Sequence, residues 1–251
     1  LVPRTVISMQ PAERASKLRK ALRDVDVDFF NMPMIRTEIV ELNAEIQAVF
    51  DRLKNFDLLI FTSRNGVKAF FELWQKTKRL FPEKLRTAAI GKGTAEEIMC
   101  HYRQADFVQP GSASRDFAAY LKTDVLKGGE KILLALGNLA SDFLQNELSP
   151  QTSVQRINVY RTLPVQEYDL NLMQKIRDNQ YGLLIFSSPS AFKNFYNYYQ
   201  NPKEKSDALL RIVSIGETTT RAILHTTQAF VLTAKIPGTE GLLNEITQYF
   251  H

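Results

Sequence analysis

The chain has 251 residues, 44% of them apolar and 24% charged, which are globular proportions and argue against a disordered or fibrous protein. No apolar run is long enough to span a membrane, no secretory signal pattern opens the chain, and a single cysteine, Cys100, excludes an internal disulfide. The net charge of +5 favours an acidic partner, but the basic residues are scattered and not interleaved with aromatics, so nucleic acid is not expected.

The default compartment for such a chain is the cytoplasm. Leu1-Val2-Pro3-Arg4 reads as the remnant of a protease site and is set aside. Thr5–Met9 reads as a short buried strand. Pro11 opens a helix with Ala15, Leu18 and Leu22 on one face, and Val25–Phe30 reads as a second strand ended by Asn31-Met32-Pro33. Met34–Val40 is extended and alternating, and a helix over Glu41–Leu53 follows. Asp57–Phe61 is continuously apolar, as strands of a parallel sheet covered on both faces are. The turn at Ser63 leads into a helix carrying Val67, Phe70, Phe71 and Trp74. Arg86–Ile90 is the next strand, turning at Gly91, and Asp106–Val108 is a short one. The turn Gln109–Ser114 enters a helix with Phe117 and Leu121. Lys131–Leu136 is a strand, Leu139–Leu148 a helix and Val154–Val159 a strand, with Tyr160–Pro164 extended after it. The helix Tyr168–Arg177, the strand Leu183–Phe186 and an aromatic helix with Phe192, Phe195, Tyr196 and Tyr199 come next. The strand Arg211–Ile215, the Gly216 turn, a short helix, a weak strand near Phe230–Leu232 and a helix from Thr239 close the chain.

Parts of this order occur twice. Leu58–Phe71 (LLIFTSRNGVKAFF) matches Leu183–Tyr196 (LLIFSSPSAFKNFY), and Ile90–Ile98 (IGKGTAEEI) matches Ile215–Ile223 (IGETTTRAI), each 125 positions on. Pro110-Gly111-Ser112 is echoed by Pro237-Gly238-Thr239. Two copies are too few for a solenoid, so the pattern predicts two similar α/β domains. The second copy has too few strands to stand alone, and the strands before Pro33 complete it. The chain is therefore expected to start in one domain, cross to the other and return. The boundaries are 1–33 with 165–251, then 38–157, with 34–37 and 158–164 as an interdomain ribbon. Strand, glycine and hydroxyl-rich helix start together make an anion-binding unit, because the first-turn amides are free. Thr218 or Thr219 is expected to cap the helix after Gly216 and leave the other hydroxyl to a ligand.

Other signals fail. Gly91-Lys92-Gly93-Thr94 lacks the phosphate-loop spacing, and Glu96 stands where the dinucleotide pattern needs its third glycine. His101, His225, His251 and Cys100 give no zinc spacing, no serine is framed by a nucleophile elbow, and no close carboxylate pair ends a strand. No cofactor or metal is expected.

The pieces FTSRNGVKAFF, AAIGKGTAEEI, QPGSASRDF, GEKILLALGN, NVYRT, IFSSPSAF, SIGETTTRAI and PGTEGLLNEI stand in the order of a known family, and the chain from Thr5 onward resembles uroporphyrinogen-III synthase. Two features depart from its pattern: Thr5–Met9 is not followed by a basic residue, and Arg64-Asn65 replaces a proline-led turn. The resemblance implies two flavodoxin-like parallel-sheet domains, the first discontinuous, joined by a two-stranded β ribbon. It also implies a cytoplasmic, cofactor-free lyase of tetrapyrrole biosynthesis. Such an enzyme takes hydroxymethylbilane, expels its terminal hydroxyl as water, inverts the last ring through a spiro intermediate and closes uroporphyrinogen III. By motif it makes Tyr160 the catalytic candidate, and Ser63, Gly91, Thr94, Ser188, Gly216, Thr218 and Thr219 substrate-binding candidates. The expected partners are the linear tetrapyrrole and, transiently, the enzyme that makes it, with no nucleic acid, no membrane and a monomeric chain. A non-catalytic two-domain protein that hinges shut on a small anion would share this layout.

Overall fold

The computed structural model describes residues 2–111, 113–200 and 210–251. Leu1 of the opening tetrapeptide and Ser112 of the Pro-Gly-Ser echo lie outside them. The chain divides into a continuous unit, Thr37–Thr162, and a discontinuous unit, Leu1–Arg36 with Leu163–His251.

The discontinuous unit opens with β1 (Thr5–Ser8), α1 (Ala12–Ala21) and β2 (Asp28–Asn31). The chain then runs through β3 (Ile35–Ile39) into the continuous unit, with α2 (Ala44–Asp51), β4 (Leu58–Phe61), α3 (Arg64–Lys76), β5 (Arg86–Ile90), α4 (Lys92–His101), β6 (Phe107–Gln109) and α5 (Ser114–Tyr120). There follow β7 (Lys131–Gly137), α6 (Phe143–Leu148) and β8 (Ser153–Pro164). Back in the discontinuous unit come α7 (Leu170–Arg177), β9 (Leu183–Phe186), α8 (Pro189–Tyr199), β10 (Arg211–Ser214), α9 (Glu217–Leu224), β11 (Phe230–Thr233) and α10 (Thr239–Phe250).

Each unit is built on one sheet. The order is β11-β10-β9-β1-β2 in the discontinuous unit and β3-β8-β7-β4-β5-β6 in the other. The pairs within β11–β2 and within β8–β6 are parallel. Parallel strands need helical crossovers, so both faces are covered and the strands read as unbroken apolar runs. In β4, Leu59 and Phe61 enter one apolar cluster with Phe50, Phe70 and Trp74, while Leu58 and Ile60 enter another with Phe117 and Leu134. The same LLIF run in β9 divides the same way: Leu184 and Phe186 pack with Phe192 and Phe195, Leu183 and Ile185 with Leu18 and Ile246. At the edge, Val40 N donates to Val159 O and Val165 N to Met34 O, so β3 and β8 run in opposite directions. The chain passes between its two units on these two strands.

Helix starts account for most boundary differences. α2 begins at Ala44, after Glu41, because Asn43 Oδ1 accepts from Ile46 N at 2.9 Å. α7 begins at Leu170, after Tyr168, because the Asp169 carboxylate accepts from Asn171 N and Leu172 N. α6 starts at Phe143 rather than Leu139: Leu139 is exposed, Ala140 N closes a turn onto Gly137 O, and Asp142 is drawn to Arg156 at 2.7 Å. A 3₁₀ turn over Leu22–Asp24 delays β2 to Asp28. β8 is one strand of 12 residues, where sequence reading separates a strand from an extended crossing.

Candidate functional site

The polar candidates cluster at the carboxyl ends of the parallel strands, where helix starts follow. In the continuous unit, Ser63 comes two residues after β4, in extended conformation (φ −157°), and caps α3: its Oγ accepts from Gly66 N at 3.1 Å. A Cβ on Gly66 would lie 2.9 Å from Ala135 O, so only glycine lets the first turn of α3 sit this close to β7. With Gly66 N bonded to the side chain and Val67 N to Ser63 O, the amides of Arg64 and Asn65 remain without an intrahelical partner.

Ser63 Oγ also lies 3.2 Å from the Tyr160 hydroxyl, a hydrogen bond between residues 97 positions apart. Tyr160 reaches it because the β7–β8 register slips: Leu136 faces Asn158, but Gly137 faces Tyr160. One residue of β8 is extra, which marks a bulge and re-aims the side chain after it.

The next turn is Gly91 (φ 80°, ψ 144°), at the start of α4. This is the positive-φ region that glycine enters without steric cost. Gly91 N donates to Gln109 O at 2.8 Å, while Thr94 N and Ala95 N close on Gly91 O. That leaves the amides of Lys92 and Gly93 at the helix start. Thr94 is buried. Arg64 lies across this turn: its Nε donates to Gly93 O at 3.0 Å, its guanidinium occupies the space a Cβ on Gly93 would fill, and Glu96 stands 3.7 Å away. Sequence reasoning treats Arg64 only as a departure from a pattern. The structure gives it a place over the helix start, adding positive charge there.

In the discontinuous unit Ser188 repeats the role of Ser63 as a cap, with Oγ accepting from Ala191 N at 3.3 Å, and its other neighbour is Ser190 Oγ at 3.2 Å. Pro189 has no amide, so this start offers fewer donors than that of α3. Gly216, two residues past the adjacent strand β10, precedes α9. Here the expected cap is corrected. Neither Thr218 nor Thr219 caps α9: the cap position is Gly216, which has no side chain, and the helix begins at Glu217, so both threonines already lie inside its first turn. Thr219 N and Thr220 N bond to Gly216 O, leaving the amides of Glu217 and Thr218. Thr218 is exposed and Thr219 buried.

The hydroxyl that sequence reasoning misses is Thr220. It lies 2.6 Å from Ser214 Oγ and 2.6 Å from Thr233 Oγ1, forming a chain of three hydroxyls beneath α9. The aromatic helix packs as expected, with Phe195 and Tyr199 buried. It also fixes the returning chain, since Asn194 Nδ2 donates to Met34 O (2.6 Å) and Val165 O (3.2 Å), and the Tyr198 hydroxyl to Val165 O (2.8 Å).

Among the described residues no group of three or more His, Cys, Asp and Glu is arranged to hold a metal, and no helix is long and apolar enough to cross a membrane. Of the sequence candidates, the fold brings Ser63 and Tyr160 into contact, while Gly91 with Thr94, Ser188, and Gly216 with Thr218 and Thr219 each stand at their own helix start.

Solved structures share this fold. A triple-mutant selenomethionine form of uroporphyrinogen III synthase from Thermus thermophilus matches with a TM-score of 0.70 at 18% identity, covering 98% of each chain. Uroporphyrinogen-III synthetase from Helicobacter pylori gives 0.60 at 16% identity, covering 97% of this chain and 98% of that one. The wild-type Thermus thermophilus protein in another crystal form gives 0.52 at 19% identity, covering 98% of this chain and 96% of that one. At such identities these matches speak for the fold. The family is carried by the sequence itself, which fits the profile described as uroporphyrinogen-III synthase HemD over residues 16–244: the chain belongs to the uroporphyrinogen-III synthase family.

Proposed function

We propose that this chain takes up hydroxymethylbilane and closes it to uroporphyrinogen III with loss of water and inversion of the terminal ring. The observation that carries the reading is the hydroxyl pair Ser63–Tyr160 at the carboxyl end of the continuous unit's sheet, in a chain of this family. Tyr160 is the proton donor. Its phenol protonates the departing hydroxyl, which leaves as water, and the positive charge spreads into the adjoining pyrrole. The terminal ring attacks that carbon through its own substituted position, forming the spiro intermediate. Cleavage and reclosure invert the ring, and the proton released on rearomatisation returns to the phenolate. Ser63 holds the phenol in line through its 3.2 Å hydrogen bond.

The acetate and propionate arms of the substrate are anions, and free amides at helix starts suit them. The candidates are the starts after Ser63, Gly91 with Thr94, Ser188, and Gly216 with Thr218 and Thr219. The positive net charge and Arg64 over the α4 start favour the same ligand. Holding the arms is most of the work, because the unrearranged closure competes and must be denied its geometry. The proposal includes a monomeric cytoplasmic enzyme that needs no metal or nucleotide and receives its unstable substrate from the enzyme that makes it. The test is to add the protein to freshly made hydroxymethylbilane and separate the oxidised isomers. A shift from type I to type III is expected. An unchanged ratio at stoichiometric protein would overturn the reading and leave a protein that only binds an anion.

A further inference from the structure

We infer that Gly137 and Asn138 are positioning residues for the Tyr160 hydroxyl, an inference that rests on the reading of Tyr160 as proton donor. β7 ends at Gly137, and a Cβ there would lie 2.7 Å from Tyr160 Oη and closer still to two of its ring carbons. The three atoms nearest that Cβ all belong to Tyr160, so the backbone of another residue does not set the need for glycine at this position. Nor does the backbone: Gly137 is absent from the positive-φ glycines, which are Gly91, Gly128, Gly129 and Gly238. The missing side chain is the seat of the phenol. Any side chain at 137 must swing the ring out and carry its hydroxyl away from Ser63.

Asn138 fixes the backbone on which that ring is mounted. Its N–H donates to Tyr160 O at 3.2 Å, and its Oδ1 accepts from Thr162 N at 2.8 Å. β7 has ended by this point, so a side chain replaces the next rung of the ladder. The two bonds grip β8 on the peptide after Tyr160 and again at Thr162, immediately beyond the bulge that turns the phenol toward Ser63. Seat and grip together set where the proton is delivered, and neither residue needs to touch substrate.

The experiment compares Gly137→Ala, Tyr160→Phe and the double variant in turnover of hydroxymethylbilane to the type III isomer. The 19F spectrum of 3-fluorotyrosine placed at position 160 supplies a readout independent of activity. Moving the hydroxyl should resemble deleting it. Gly137→Ala should lower kcat by nearly the factor that Tyr160→Phe does, between about tenfold and a hundredfold, with KM changed less than about threefold. The double variant should be no slower than the slower single variant by more than about threefold. The fluorine resonance should shift in Gly137→Ala. For the grip, Asn138→Ala should lower kcat with KM held, and Asn138→Asp, which keeps the acceptor oxygen, should restore most of it. Multiplying losses in the double variant, a fluorine resonance that does not move, a wild-type kcat in Gly137→Ala or no rescue by Asn138→Asp would overturn the inference. The two failures are distinguishable. A wild-type protein that leaves the isomer ratio unchanged, or a fully active Tyr160→Phe enzyme, removes the reading of Tyr160. An active wild type, an impaired Tyr160→Phe and an unimpaired Gly137→Ala remove only the positioning claim.

Discussion

The two copies of the repeated core solve one packing problem with different chemistry. Positions 125 apart occupy matching places: Ser214 pairs with Thr233 across β10–β11 as Ala89 pairs with Val108 across β5–β6. Over that pair lies Thr220 in one copy and, 125 positions earlier, Ala95 in the other. One copy therefore fills the space under its helix with three linked hydroxyls, the other with methyl groups. The serine caps diverge in the opposite sense. Beyond the helix amide each caps, Ser188 meets its neighbour Ser190, whereas Ser63 meets Tyr160 from a distant strand. The turn glycines diverge too: Gly91 sits at φ 80°, while Gly216 is extended at φ 167°. A duplicated frame tolerates exchange wherever the replaced set is internally complete, and the copy that keeps a long-range polar contact is the one we assign the proton transfer.

Breaking that contact should have the largest effect. Tyr160→Phe keeps the ring on Gly137 and should leave the melting temperature nearly unchanged, while turnover falls by roughly one to two orders of magnitude. Ser63→Ala and Ser188→Ala both lose a helix cap, worth about 1 kcal/mol of stability. Only Ser63→Ala should also slow turnover several-fold beyond what its stability loss explains. Equal activity in the two serine variants would erase the functional asymmetry between the copies.

Next in size are the glycines. Gly91→Ala forces a Cβ into the positive-φ region and should cost about 1–3 kcal/mol in urea unfolding. Gly216→Ala has open space and an ordinary φ, so only a few tenths of a kcal/mol are expected, from the poorer cap. If Gly216→Ala were as costly as Gly91→Ala, the backbone contrast would not be the cause.

The hydroxyl chain gives a subtler test. Thr220→Ala alone leaves Ser214 and Thr233 each short of a partner beneath the helix, and should cost about 1–2 kcal/mol. The triple change Ser214→Ala, Thr220→Ala and Thr233→Val installs the other copy's set and should recover most of that loss, because replacing all partners together leaves nothing unsatisfied. A triple variant less stable than the single one would argue that the chain matters beyond its own pairing.

These contrasts also explain what the sequence could convey. The strands were legible because a covered parallel strand must be apolar throughout, as LLIF is in both copies. The turns at Gly91 and Gly216 were legible because strand, glycine and helix start is a local pattern. The cap of α9 was misread by two or three positions: a hydroxyl in the first turn of the helix looks, in sequence, like one at its cap, and the glycine itself takes that position. The seat of Tyr160 was illegible for a different reason. It depends on a one-residue slip between β7 and β8, and a bulge leaves no pattern in either strand alone.

The smallest contrast lies at the other end of the strands. Tyr181 corresponds to Phe56, and Arg211 to Arg86, each 125 positions apart. The Tyr181 hydroxyl accepts from Arg211 N at 3.2 Å, and the guanidinium lies over its ring at 4.6 Å. In the other copy Arg86 N instead donates to Asp57 O. Tyr181→Phe makes the second copy resemble the first and strands one amide, so about 1 kcal/mol should be lost at neutral pH. The loss should depend on pH. Burial pushes the Tyr181 phenol above its ordinary range, outweighing the opposing bond from Arg211 N and the guanidinium charge. The folded state therefore holds this proton more tightly than the unfolded chain does. Its contribution is complete below the unfolded phenol value, about 10, and drains away as pH rises through the folded value. The stability difference between wild type and Tyr181→Phe, measured by urea unfolding at pH 7, 9 and 10.5, should thus hold steady and then shrink. A difference that grows toward pH 10.5 would mean that the folded protein releases this proton first, and that the guanidinium over the ring, rather than burial, governs the phenol.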